Sequence, residues 1–124
     1  MNAFTNLELA VLHSIFLETP ELAPDLERQM ERANATKREN TGCGFFTTIA
    51  VPADALQVST PSVLGYETHA RVHGLEHGLG FVLFMREGRM YLLEGYAWGS
   101  EGTASLDLFN LTFEIFNAPI QRIG

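Results

Sequence analysis

Hydrophobic residues near the N-terminus recur at the spacing of one helical face: Leu9, Leu12, Ile15 and Phe16. Just before them, Thr5 and Glu8 have the spacing of a capping box. In that motif the threonine hydroxyl and the glutamate carboxylate each accept a hydrogen bond from the other residue's backbone amide. The pattern predicts an amphipathic helix over residues 6–18. Thr19 and Pro20 end it, because proline has no amide to continue the helical ladder.

A second apolar stripe at helical spacing follows the first: Leu22, Leu26, Met30 and Ala33. Pro20 and Pro24 both precede most of it, and either is suited to the first position of a helix, where the missing amide costs nothing. The sequence therefore predicts a second helix that ends near Ala33.

Beyond Asn34 the hydrophobic period changes to two, which is typical of β-strands. Alternating or continuously apolar segments, bounded by Gly, Pro or Asn, indicate strands over 45–51, 63–72, 79–86, 90–98 and 105–116. Glu87 and Gly88 join the third and fourth of these as a hairpin.

Alternation also predicts which side chains share a face of each strand. In the segment 63–72 it places Tyr66 on the side of Thr68. In the segment 105–116 it predicts inward-facing Phe109 and Phe113, with Glu114 directed outward.

Two helices followed by strands joined through short turns predict an α+β fold. We expect the two N-terminal helices to pack on one face of an antiparallel sheet of about five strands with hairpin or meander connections. The length of 124 residues, with 46% hydrophobic and 19% charged residues, fits one globular domain that spans residues 1–124.

The charge of the chain limits its partners. Eight Lys and Arg against fifteen Asp and Glu give a formal net charge of -7, which repels phosphate backbones and anionic membrane surfaces, so we expect no nucleic acid and no membrane partner. The chain shows neither an apolar run long enough to span a bilayer nor a secretory signal pattern. With Cys43 as its only cysteine, it is expected to be cytoplasmic.

One short motif raises the question of metal binding. Residues 73–77, His-Gly-Leu-Glu-His, have the H-x-x-E-H pattern of one class of zinc peptidases. That chemistry needs a helix to bring both imidazoles to one side, and Gly74 and Gly78 oppose a helix here. We favour a polar turn between strands, and keep as an alternative a zinc, copper or nickel site formed by His73, His77 and His69. No other cofactor is expected.

The strand over 90–98 carries the main candidate site. Alternation places Glu94 on the same face as Leu92, Tyr96 and Trp98. A carboxylate in an aromatic row is costly unless it finds a partner, for which Arg38, Arg71 or a histidine is available. Aromatic walls around one carboxylate are typical of a pocket for a small molecule or a peptide, although a structural salt bridge or a solvent-facing Glu94 is the simpler interpretation.

The segment 76–99, with its Gly-Phe start, its central Gly88 turn and Leu93-Glu94-Gly95-Tyr96, resembles the hairpin of small uncharacterised bacterial α+β proteins, some of them similar to immunity proteins of toxin systems. The resemblance spans about a fifth of the chain. The acidic charge of the chain agrees with a protein that neutralises a basic toxin, and the resemblance implies no catalytic residue.

Together these observations predict a non-enzymatic binding or regulatory domain. It would hold a protein partner or a small ligand through Glu94, Tyr96, Trp98 and Arg71. Alternatives are a small hydrolase or isomerase that uses Glu94 as base with His69 or a neighbouring histidine as proton shuttle, or a metal-binding protein. A homodimer is also expected to be possible, because an exposed sheet edge favours self-association.

Overall fold

A computed structural model describes residues 3–99 and 101–118 of the chain. Its helices and strands, numbered here in chain order, are α1 (Asn6–Leu17), α2 (Ala23–Met30), β1 (Asn34–Asn40), β2 (Gly44–Ala50), β3 (Val63–Leu64), β4 (Thr68–Val72), β5 (Leu79–Arg86), β6 (Arg89–Ala97) and β7 (Phe113–Asn117).

The described strands form one antiparallel sheet in the order β1-β2-β6-β5-β4-β7. The short strand β3 pairs with β5 beyond the end of β4. Helix α1 packs on one face of the sheet and also contacts α2, and the core lies between this helical layer and the sheet. The α+β class with an antiparallel sheet is confirmed, and the sheet has seven strands in the described residues rather than about five.

Helix α1 begins with the predicted capping box. The Glu8 amide donates to the Thr5 hydroxyl at 3.1 Å, and the Thr5 amide donates to the Glu8 carboxylate at 2.8 Å. Leu9 is 37% exposed and does not belong to the buried stripe, which begins at Leu7 instead. The remaining helical spacing is confirmed, because the same face buries Leu12, Ile15 and Phe16.

Helix α2 is shorter than predicted and ends at Met30, with Pro24 in its first turn. Its Gln29 is fully buried and fixes the helix to the β5–β6 turn. The Gln29 amide group donates to the carbonyls of Leu56 and Gly88 at 2.7 and 2.8 Å, and its carbonyl accepts from the Met90 amide at 2.9 Å. A buried polar side chain is stable here because its hydrogen-bonding groups are satisfied.

Strand β1 was not predicted, because its residues Asn-Ala-Thr-Lys-Arg-Glu-Asn carry no hydrophobic alternation. It lies at one edge of the sheet and pairs only with β2 among the described strands. An edge strand needs few buried side chains, so the periodicity that reveals inner strands is missing from it.

The predicted strand over 63–72 is interrupted after Leu64. Gly65 has a φ of +87°, and a Cβ atom on it would lie 2.7 Å from the Ile15 side chain. The chain bends there, and Tyr66 is 49% exposed instead of sharing the buried side of Thr68. The predicted alternation holds from Thr68 onwards.

The last predicted strand is also shorter, since only its final residues form β7. The described residues between β6 and β7, 98–99 and 101–112, form no helix or strand. Thr103 fixes this connection by bonding to Asn40 and to the Gly44 carbonyl at 2.8 and 3.1 Å. Phe109, predicted to face inward, is 60% exposed.

No helix of the described residues is long and apolar enough to cross a membrane.

Candidate functional site: an aromatic sheet face

The side of the sheet that faces away from α1 carries the residues of the candidate site. Leu93 and Phe81 lie in the core beneath the helices, and alternate strand residues point to opposite faces. The opposite face, which we call the open face, therefore includes Phe46, His69, Arg71, Val82, Phe84, Leu92, Glu94, Tyr96, Phe116 and the adjoining Trp98.

The sheet register aligns these residues in rows. Glu94 lies opposite Phe46 of β2 and Val82 of β5. The next row contains Tyr96, then Gly80, then His69 of β4. Four of the predicted site residues, Glu94, Tyr96, Trp98 and Arg71, thus share one face, as the alternation indicated for the first three.

Gly80 allows the aromatic side chains to meet across the sheet. A Cβ atom at this position would lie 2.5 Å from the ring of Tyr96, so any side chain here would displace the ring. The Tyr96 ring therefore lies over the backbone of β5 where no side chain separates it from β4. Placing a glycine in an inner strand weakens the strand locally and serves close approach of another group.

A continuous aromatic stack extends from β6 to β7. The Tyr96 and Trp98 rings meet edge to face with centroids 5.3 Å apart. The His69 imidazole stacks on Trp98 at 5.7 Å and on Phe116 at 5.3 Å. The Arg71 guanidinium lies 4.5 Å from the Phe116 ring centroid, a cation–π geometry that closes the stack at the sheet edge.

Glu94 has no cationic partner among the described residues. Arg38, one partner expected for it, is on the helical side and bonds to Glu8, while Arg71 forms its ion pair with Glu114 at 2.7 Å. Partial burial among apolar side chains raises the pKa of Glu94 above its ordinary value. Neither Arg38 nor Arg71, the two arginines suggested as partners of Glu94, therefore pairs with it.

Burial also shifts the two neighbouring titratable groups away from their charged forms. The pKa of Tyr96 is raised mainly by desolvation, and further by the negative charge of Glu94. The pKa of His69 is lowered by desolvation, which outweighs the opposing effects of Glu18 and of a hydrogen bond to the Ala118 backbone. The open face thus favours neutral Tyr96 and His69.

Glu94→Gln is expected to raise the melting temperature at neutral pH by a few degrees at most, because the amide has no charge to desolvate. The folded pKa of Glu94 lies above its unfolded value of about 4.3, so the ionised side chain costs stability as pH rises through this window. The melting temperatures of the unmodified chain and Glu94→Gln should therefore differ at pH 7 and become equal at pH 3.5. A gain of equal size at both pH values would contradict the desolvation account.

The acid–base pair proposed for an enzyme is not assembled between Glu94 and His69. His69 is aligned with Tyr96 two strands away, and Glu94 is two residues farther along β6. These offsets correspond to about 10 Å across the sheet and about 7 Å along it, beyond hydrogen-bond reach or a single bridging water. Consistently, the pKa shift of neither group includes the other as a cause.

The H-x-x-E-H segment forms a turn, as favoured from its glycines. Gly74 and Gly78 have φ angles of +100° and +70°. The Glu101 carboxylate accepts hydrogen bonds from the Glu76 and His77 amides, the latter at 2.8 Å, and these bonds lower the pKa of Glu101.

The three histidines of the metal hypothesis do not converge. His69 is buried in the aromatic stack of the open face, whereas His73 and His77 are exposed in the turn. Within residues 3–99 and 101–118, no group of three or more His, Cys, Asp or Glu side chains is placed to hold a metal ion.

An ion pair between the buried Glu8 and the partly buried Arg38, on the helical side of the sheet, was not predicted. Glu8, assigned only to the capping box, is 2% exposed and accepts from the Arg38 Nε at 2.8 Å and from the Thr47 hydroxyl at 2.5 Å. A cavity of about 360 Å³ lies beside this pair, between α1 and the 106–109 segment. The only signal for this ion pair in the sequence was the position of Glu8 on a helix face that is otherwise apolar.

The fold and the open face together define an α+β domain with a helical layer on one side of an antiparallel sheet and an aromatic surface on the other. Comparison with known proteins found no protein-family profile, no curated protein and no solved structure that matches the chain.

Proposed function

We propose that this protein is a binding domain that holds a protein partner on its open face, and that the partner inserts a basic side chain at Glu94. The observation that carries the proposal is a partly desolvated carboxylate among aromatic side chains with no cation supplied by the described residues. A partner's Lys or Arg would neutralise Glu94, and the surrounding rings would contribute apolar contact and cation–π attraction.

The shape of the open face favours a protein over a small molecule. Small ligands bind in concave cavities that bury most of their surface. Among the surface cavities of the described residues, five of about 360 to 630 Å³ are lined by neither Glu94, Tyr96 nor Trp98, and Arg71 borders one of them. A flat aromatic surface is better suited to a partner that supplies its own protruding side chains.

Charge favours a basic partner over a second copy of the chain. The net charge of -7 attracts basic proteins and repels an identical chain. Symmetric contact through the centre of the open face would also bring two Glu94 carboxylates together, each without a cation. The implied association with a basic partner agrees with the resemblance to immunity proteins.

Affinity capture with charge-reversed baits tests the proposal. Glu94→Lys is expected to lose a basic protein that the unmodified chain retains, whereas Glu31→Lys, with the same change in net charge at an exposed position beyond α2, should retain it. The captured protein is then purified, and its affinity for Glu94→Lys should be roughly 100-fold lower by calorimetry. Equal loss or equal retention by both variants, or an acidic captured protein, would contradict the proposal.

Proton linkage gives a second readout with the same partner. A cation beside Glu94 lowers its pKa, so binding releases a proton where the free side chain is protonated. Affinity should therefore weaken as pH falls through the raised pKa of the free Glu94 side chain, and Glu94→Gln should remove this contribution. A pH dependence that is identical in both proteins would show that Glu94 is not the contacted group.

A further inference from the structure

The two edges of the sheet differ in how they resist pairing with another strand. Edge strand β1 carries Lys37, Arg38 and Glu39, and its pairing with β2 shifts register between Ala35 and Lys37. Charges and bulges at an edge are features that block addition of a foreign strand. The opposite edge, β7, has the sequence Phe-Glu-Ile-Phe-Asn and pairs with β4 without a register shift.

Hydrogen-bond parity shows which backbone groups of β7 face outward. The His73 amide donates to the Thr112 carbonyl at 3.1 Å, and the Ala118 amide donates to the Glu67 carbonyl at 2.9 Å. Because only alternate residues of an antiparallel pair exchange such bonds, the even-numbered residues of β7 bond to β4. The amides and carbonyls of Phe113, Ile115 and Asn117 therefore point away from the sheet.

Beside this edge is a groove between β7 and α1. The groove has a volume of about 630 Å³, and its lining includes Leu17, Glu18, Glu67, Ile115 and Asn117. Leu17 at its margin is 57% exposed. Glu18 bonds to the Glu67 amide and the Thr68 hydroxyl, at 3.2 and 2.5 Å, while the Glu67 carboxylate has no bonding partner among the described residues.

We infer that an extended, basic segment of a protein partner adds to β7 as a further strand. Its backbone would bond to Phe113, Ile115 and Asn117, and its alternate side chains would enter the groove. The acidic groove and the net charge of -7 select a basic segment rather than a second copy of this chain. The inference rests on the proposed function, since the added strand would lie beside Phe116 at the margin of the open face.

A designed peptide tests strand addition without knowledge of the partner. The probe is a capped peptide of alternating valine and lysine, about six residues long, which is a common strand length. It should bind and slow hydrogen exchange at the Ile115 and Asn117 amides, as measured by NMR. A version with N-methyl groups on the pairing amides, and a version with glutamate in place of lysine, should each bind at least roughly tenfold more weakly.

Variants of Asn117 separate backbone pairing from side-chain contact. Asn117→Pro removes an outward amide that bonds to no other described strand, so the fold should persist, with an unchanged thermal melt as the check. It should weaken the valine–lysine peptide roughly tenfold, whereas Asn117→Ala should not. Equal binding by both variants would overturn strand addition, and so would no binding of the peptide to the unmodified chain.

Two further results distinguish a basic partner from a second copy of the chain, and strand addition at β7 from binding at the open face. Protection of the Ile115 and Asn117 amides in the free chain, together with a dimer in analytical ultracentrifugation, would overturn the basic partner in favour of a second copy. Glu94→Lys should still bind the peptide, so loss of a partner at the open face and loss of strand addition at β7 are measured independently.

Discussion

Replacing Arg38 with alanine is expected to lower the free energy of unfolding by about 3 to 5 kcal/mol, and the melting temperature by about 10 °C or more. The Arg38 guanidinium contacts Glu8 through two nitrogens, at 2.8 and 2.5 Å. The hydrogen bond to Glu8 and its negative charge raise the pKa of Arg38 despite the opposing effect of burial. Without Arg38, a carboxylate that is 2% exposed loses its cationic partner and keeps only neutral hydrogen-bond donors.

Two comparisons isolate the cause of this loss. Arg71→Ala removes an arginine from the exposed ion pair with Glu114, and it should cost less than about 1 kcal/mol, because solvent screens such pairs. Glu8→Gln combined with Arg38→Met removes both charges and should recover much of the loss. Denaturant unfolding followed by circular dichroism measures all three proteins. A cost for Arg38→Ala no larger than that for Arg71→Ala would contradict the assignment of a buried pair.

The fold class could be predicted from sequence because its inner elements carry strong local signals. The capping box of Thr5 and Glu8 and the hairpin around Gly88 are encoded within a few residues of each other. The polar edge strand β1 and the irregular connection around Phe109 could not be predicted. In β1 no face is buried, and in the connection an apolar alternation occurs without a neighbouring strand to pair with.

The candidate site was predicted in its composition but not in its electrostatics. Alternation correctly placed Glu94, Tyr96 and Trp98 on one face, because this pattern is local to β6. Arg38, one of the suggested partners of Glu94, does not reach it, because the side of the sheet to which Arg38 points depends on pairing between β1 and β2. The stack of His69 on Trp98 likewise depends on the β4–β5–β6 register and on the absent side chain at Gly80.

Replacing Trp98 with alanine is expected to weaken binding of the partner by roughly 100-fold while it costs no more than about 1 kcal/mol of stability. The indole is 43% exposed in the free protein and contacts Tyr96 and His69 just beyond the end of the inner strand β6, outside the core beneath the helices. A large aromatic side chain that is exposed before binding and desolvated afterwards is typical of an interface hot spot.

Phe109→Ala is the matched control for Trp98→Ala. Phe109 is 60% exposed and lies 5.0 Å from the Arg38 guanidinium, on the helical side of the sheet, so its loss should leave partner affinity unchanged. NMR titration gives an internal readout, since removal of the indole exposes His69, whose lowered pKa should rise toward about 6.5. A stability loss of several kcal/mol on Trp98→Ala would identify Trp98 as a core residue, and equal affinities of the two variants would exclude the open face as the docking surface.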